Sequence, residues 1–298
     1  MHTRHASRIN HASCLALVIV GQAAWVSPCF ASDQPESVYP TELPPPPPDD
    51  RNQPGGVHAD FKVNYLTDYI YRGVKPFADP DENKTALALQ FDGKVGLDLG
   101  KLPHPYVNLF VNVGENDPTS SFQEVRPTLG FDWPIKPLII SAGHTNYIFP
   151  NRDELDTAEI FLKVALDDSD AWPFQKTRLR PYVMAAYDYD LYKGLYLEAG
   201  LSPTFSIENT GLSFTFDAHA AYVLNHSLYS AGGFDTETGF QHWQVGVTGK
   251  YDLNQLLNIP ERFGNWSILG YLFYTANLNN ELRGEDTLWG GAGLRLAF

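Results

Sequence analysis

From Ala59 onward, apolar and polar residues alternate in runs. In "DFKVNYLTDYIYRGV", Phe61, Val63, Tyr65, Thr67, Tyr69 and Tyr71 fall on one parity, and Asp60, Lys62, Asn64, Asp68 and Arg72 on the other. Successive side chains of an extended strand point to opposite faces, so the segment predicts a strand with one greasy and one charged face. "ALALQFDGKVGLDL" sets Leu87, Leu89, Phe91, Val95, Leu97 and Leu99 against Gln90, Asp92, Lys94 and Asp98. "LSFTFDAHAAY" sets Leu212, Phe214, Phe216 and Tyr222 against Ser213, Thr215, Asp217 and His219, and the less clean "AEIFLKVAL" sets Ile160, Leu162, Val164 and Leu166 against Glu159, Phe161 and Lys163. Runs of this kind predict about twelve strands, several longer than the roughly five or six residues usual in soluble sheets.

Alternation suits a soluble sandwich and a membrane barrel equally, so other features have to choose. A strand of ~11 residues rises about 36 Å and, tilted near 40°, covers the ~25 Å apolar band of an outer membrane. The minority face is rich in Gly, Ser, Thr, Asn and charges, a lining suited to a polar lumen. If the N-terminal segment is periplasmic, apolar-face aromatics gather at both strand ends. Tyr69, Tyr71, Tyr187, Tyr189, Tyr222, Trp243 and Tyr274 fall at the outer ends; Phe61, Trp133, Phe205, Tyr251, Trp266 and Phe298 fall at the inner ends. Two such girdles are what interfacial anchoring requires. The expected fold is all-β: a single closed antiparallel transmembrane β-barrel with both ends on the periplasmic side, preceded by a disordered Pro-rich segment.

The N-terminus adds an address. Arg4 and Arg8 precede the apolar "CLALVIVGQAAWV", which is too short to span a bilayer, and "CFA" places Cys29 and Ala31 at a small-residue cleavage site. Residues 1–31 therefore read as a cleaved signal peptide, 32–57 as a tether built around "PTELPPPPPDD", and 58–298 as the barrel. Cleavage after Ala31 removes both cysteines, leaving no disulfide or thiolate metal site. The formal net charge of -14 argues against a nucleic-acid binder, which normally shows a basic stripe. The chain ends "LWGGAGLRLAF", and Phe298, Leu296 and Gly293 resemble the terminal strand by which outer-membrane proteins are recognised by the barrel-assembly machinery.

"LTDYIYRGV" also resembles the first-strand signature of the TorF-type (Gcw_chp) family of porins. "GFDW", "AGHTNYIFPN" with "DTAEIFLKVAL", and "YVMAAYDYD" with "GLYLEAGL" follow in that family's order. Besides the first motif, the specific part is the Tyr147, Pro150, Glu159 segment. The resemblance implies an outer-membrane β-barrel acting as a channel.

Candidate pore-lining residues are Asp60, Lys62, Asp68, Arg72, Asp92, Lys94, Glu124, Arg126, Lys163, Glu198, Asp217, His219, Lys250 and Arg295, a mixed set without a single-sign ladder. Asp68 and Arg72, about 13 Å apart on one strand, are expected to pair with neighbouring strands, and Gly73 to open the loop. Asp79, Asp81 and Glu82 form an acidic outer vestibule that would concentrate cations within a Debye length, roughly 8 Å. The girdle candidates are Tyr69, Tyr71, Trp133, Trp243, Trp266 and Phe298. His144 lies on the apolar face, but Asn146 stands where a serine nucleophile would be needed and Thr145 points the other way. His219 and His242 share lumen parity without tight metal-ligand spacing. The reading is non-enzymatic, with no catalytic residue, metal or cofactor. The expected partners are outer-membrane lipid, lipopolysaccharide, the assembly machinery and small polar solutes, in a Gram-negative-type bacterium. The leading function is a passive channel. The alternative is a structural or interaction barrel whose lumen is filled by Tyr106, Phe110, Tyr182, Met184, Tyr196, Tyr271 and Phe273.

Overall fold

Alternating side chains fix the two faces of each strand, and pairing register then keeps like faces together. The computed structural model describes residues 56–77, 87–114, 122–150, 152–168, 179–207, 209–231 and 236–298. The segments expected to be signal peptide (1–31) and tether (32–57) lie outside these residues except for Gly56 and Val57, as do Asp79, Asp81 and Glu82.

The strands are β1 (Val57–Leu66), β2 (Ala88–Leu97), β3 (His104–Gly114), β4 (Phe122–Ile135), β5 (Leu138–Tyr147), β6 (Thr157–Leu166), β7 (Tyr182–Asp188), β8 (Leu195–Leu201), β9 (Thr204–Ile207), β10 (Leu212–His226), β11 (Glu237–Asp252), β12 (Asn265–Asn277) and β13 (Thr287–Ala297). Each pairs antiparallel with the next, except that β8 pairs with β10 rather than β9. β8 and β9 are two parts of one stave, since both pair with β10. The ladder breaks between them at Ser202 and Pro203, where proline lacks the donor a ladder needs. β1 pairs with β13 from Asp60↔Ala297 to Leu66↔Gly291, closing a twelve-stave barrel.

The end carrying Val57 and Phe298 is called the near end and the opposite mouth the far end. Closure satisfies the backbone of every stave without an open edge. The outer wall is apolar: Val107, Leu109, Leu129, Phe131, Ile160, Leu162, Val183 and Leu272 all stand exposed. On β4, Leu129 is 63% exposed outside while Arg126 is 1% exposed inside. That inverts the soluble arrangement and is the belt a bilayer solvates. Trp133 and Phe298 face outward at the near end, with Trp266 partly exposed beside them; Trp243 packs outside on Tyr274 toward the far end.

Tyr69 and Tyr71 do not join them. Only 6% and 8% exposed, they sit inside the far mouth, because the chain leaves the sheet after Leu66 and turns inward. The alternation that suggested a longer strand belongs to a second structure, described below.

Leu109→Arg, at the middle of the outward face of β3, is expected to cost about 2–4 kcal/mol in lipid. Lys250→Gln, inside near the near end and half-buried, should stay within about 1 kcal/mol. Refolding titrations into lipid vesicles compare the two, and equal costs would mean that the faces are reversed.

Candidate functional site: a hairpin seated in the barrel mouth

Thr67 is the last residue tied to the wall: its N–H donates to Gly290 O at 2.8 Å, and its Oγ1 accepts from Gly290 N at 3.1 Å. Asp68, Tyr69, Ile70, Tyr71 and Arg72 are then buried in succession, which no strand lying in a one-faced wall allows. The segment forms its own small hairpin. Tyr71 N donates to Val74 O at 2.9 Å and Val74 N to Tyr71 O at 3.1 Å. The two residues between them, Arg72 and Gly73, have φ of 48° and 78°, the arrangement of a two-residue I′ turn. Glycine is needed for space as well as for φ: a Cβ on Gly73 would come within 2.5 Å of the His242 ring. The tip is pinned across the mouth, where Gln241 Nε2 donates to Arg72 O and Glu285 N to Gly73 O, each at 2.9 Å.

Arg72 reaches β6 on the opposite wall. Its Nη1 and Nη2 donate to Glu159 Oε2 and Oε1, both at 2.8 Å, the planar two-bond match of guanidinium to carboxylate. Tyr147, at the end of β5, donates its hydroxyl to Glu159 Oε1 at 2.7 Å and meets the Tyr71 hydroxyl at 2.5 Å. The guanidinium carbon of Arg72 lies 4.5 Å from the centre of the Tyr196 ring. A second pair sits beside the first. Tyr69 donates to Glu124 Oε2 at 2.9 Å, and Arg126 Nε lies 3.1 Å from Glu124 Oε1. The Arg126 guanidinium stacks on Phe110 at 3.9 Å and Tyr71 at 4.5 Å. Phe77 stacks on Tyr69 and meets Phe149, completing an apolar cluster with Leu66, Ile70, Phe273 and Trp289. Removing one partner of a dry ion pair costs about 3–5 kcal/mol, because the other charge stays buried. The Arg72–Glu159 pair therefore holds the hairpin strongly only while both members are present, whereas Glu124 and Arg126 both belong to β4 and reach the hairpin through Tyr69.

The remaining sequence candidates scatter along the interior. Asp60 pairs with Arg295 at 2.6 Å, Lys94 with Asp132 at 2.9 Å, and Asp92 accepts from Asn108 at 2.5 Å. Lys163 lies over the Tyr182 ring at 4.1 Å. Glu198 accepts from Tyr182 at 2.7 Å and Tyr196 at 2.6 Å, with His219 Nε2 3.9 Å away. Asp217 accepts from Ser202 at 2.5 Å. His242 Nε2 meets His219 Nε2 at 3.3 Å. His144 stays on the outer wall, 2.6 Å from the Tyr189 hydroxyl.

Two expectations change. Arg72 pairs across the lumen rather than with a neighbour of β1, and Asp68 meets Lys75 of its own segment at 3.3 Å. Gly73 closes a turn inside the mouth instead of opening an outer loop. Glu159 and Tyr147 stood in the sequence as motif residues without a role, and inward parity was the signal that Glu159 would be a partner.

Most inward side chains are buried. Asn64, Gln90, Asn112, Glu124, Arg126, Tyr147, Glu159, Tyr196 and Gln244 toward the far end are at 7% or less, and so are Asp132, Ser141, Ser267 and Arg295 toward the near end, where Asp60, Lys62, Asp92, Lys94, Asn108, Thr128 and Lys250 keep contact with solvent. A wide water-filled bore exposes its lining, whereas here the lining is largely buried and the far mouth holds the hairpin.

No family profile and no curated protein matches the chain. Among solved structures, an outer membrane channel from Pseudomonas putida F1 is similar at 10% identity and TM-score 0.40, covering 84% of this chain and 99% of that one. A bacterial polysaccharide outer membrane secretin follows at 7% identity and TM-score 0.38, covering 81% and 98%. A porin is similar at 12% identity and TM-score 0.30, covering 82% and 100%. The fold assignment rests on the strand register.

Gly73→Ala forces a side chain into positive φ and onto His242, so it should loosen the hairpin by more than about 1 kcal/mol. Amide hydrogen exchange is the measurement. The expected result is faster exchange at Tyr71 and Val74 with β1–β13 protection unchanged.

Proposed function

We propose that the protein is an outer-membrane, porin-like channel for small polar solutes, held shut by the Asp68–Phe77 hairpin. The far end faces outward and the near end the periplasm; lipid and lipopolysaccharide surround the belt, and the assembly machinery reads the final strand. The observation that carries the reading is that the closing element is not part of the wall. Leu66 of β1 already pairs with Ala88 of β2, so residues 67–87 are not needed to join the two strands. Past Thr67, the hairpin is held by its side chains and by the two bonds at its tip. Withdrawing it breaks no rung of the barrel.

Magnitudes agree with a removable plug. Burial of Tyr69, Ile70, Tyr71 and Phe77 contributes about 1.5–3 kcal/mol each, while ordering the segment costs about 1–2 kcal/mol per residue. The terms are comparable, so ion pairs and hydrogen bonds set the balance. Interior charges are largely matched in pairs, and selectivity by net lumen charge should be weak.

The structural reading is favoured by one observation, the burial of Tyr106, Phe110, Met184, Tyr196, Tyr271 and Phe273 inside the wall. Planar-bilayer recording separates the two. The refolded chain should be mostly closed, and a variant with Asp68–Phe77 replaced by a Gly/Ser linker should conduct steadily. Silence from both at every voltage would establish the filled, structural barrel.

A further inference from the structure

Arg72 is a guanidinium on a tether, and what holds it is built from the wall. Glu159 presents both carboxylate oxygens to it, at 2.8 Å each, and is itself oriented by the Tyr147 hydroxyl at 2.7 Å. The Tyr196 ring supplies a face 4.5 Å from the guanidinium carbon. Glu159, Tyr147 and Tyr196 belong to β6, β5 and β8 and stay behind when the hairpin leaves. Glu159 then keeps an oriented, unpaired carboxylate beside an aromatic platform in a wetted bore. A planar cation with two parallel N–H groups fits that arrangement, whereas a spherical ammonium satisfies only part of it.

We propose that Glu159, Tyr147 and Tyr196 form a solute-binding site for guanidinium compounds, which Arg72 occupies as a built-in competitor in the closed state. This inference rests on the channel reading and adds its substrate class. A solute such as arginine competes with Arg72 for Glu159, and its binding favours the withdrawn hairpin. Binding and opening are then one equilibrium, because a ligand shifts a conformational balance only by its differential affinity for the two states. A neutral isostere of the same shape lacks the charge to displace Arg72.

The test uses the full chain refolded in lipid, with Arg72→Ala to empty the site and guanidinium ion, far below denaturing concentration, as probe. Isothermal titration should give saturable binding to Arg72→Ala, roughly tenfold or more tighter for guanidinium than for methylammonium. Urea should not bind, and Arg72→Ala/Glu159→Gln should abolish the guanidinium signal. The wild-type chain gives an independent measurement: arginine, but not lysine, should speed hydrogen exchange at Tyr71 and Val74 and raise open probability roughly tenfold. Equal responses to guanidinium and urea, binding that survives Glu159→Gln, or a wild-type hairpin indifferent to arginine would each overturn the site. A linker-replaced variant that passes no ions removes the channel reading and leaves the titration to judge the site alone. If that variant conducts while Arg72→Ala ignores guanidinium, the channel stands and the site falls.

Discussion

Hydrocarbon offers no hydrogen bonds, and a strand lying in it must find every partner in another strand. The pairing of β1 with β13 answers that demand, and much of the molecule follows from it. Once the ring closes, each strand has a face toward lipid and a face toward the lumen, with no edge left over. The outward face must be apolar, so Leu129, Ile160 and Leu272 stand where a soluble protein would put charge. The inward face is then the one place left for polar groups. In a twelve-stave ring it is narrow enough for those groups to reach one another.

That crowding explains why an interior so rich in charge is also so dry. Arg72, Arg126, Glu124 and Glu159 are each almost fully buried, which is tolerable only because each has an opposite charge within 3.1 Å. Phenols do the rest. Tyr69, Tyr147 and Tyr196 each place a ring against apolar neighbours and a hydroxyl on a carboxylate. The near end carries the same charge types, with Arg295 and Asp132 buried and Lys62 and Asp92 partly in contact with solvent. At the far end the inserted hairpin supplies part of the cover, through Tyr69, Tyr71 and Arg72.

The barrel was legible in the sequence because period two survives wherever one face meets lipid. Leu89, Phe91 and Val95 alternate correctly with Gln90, Asp92 and Lys94, and the runs around Ile160 and Phe216 do the same. The hairpin was not legible, for a physical reason. Its two arms are short extended segments, so "TDYIYRGV" continues the period of β1 past the point where β1 ends. Parity alone then sends Tyr69 and Tyr71 to the lipid, while the structure sends them inside. Pairing partners were hidden too, since Arg72 and Glu159 are 87 residues apart and separated by the width of the lumen. Composition could say that Arg72 needed a carboxylate, but not which one.

The root of the hairpin lies on the seam. Thr67 is bonded to Gly290 of β13, the strand that closes the ring on β1. Until β1 and β13 pair, the hairpin has no anchor at its base, and Phe273 of β12 and Trp289 of β13 do not meet its apolar side chains. Seating the hairpin is thus conditional on a finished ring. A ring open at the seam would leave the mouth empty, and zipping the seam would also fill it. Filling of the mouth and completion of the wall are coupled through a pair of hydrogen bonds at one threonine.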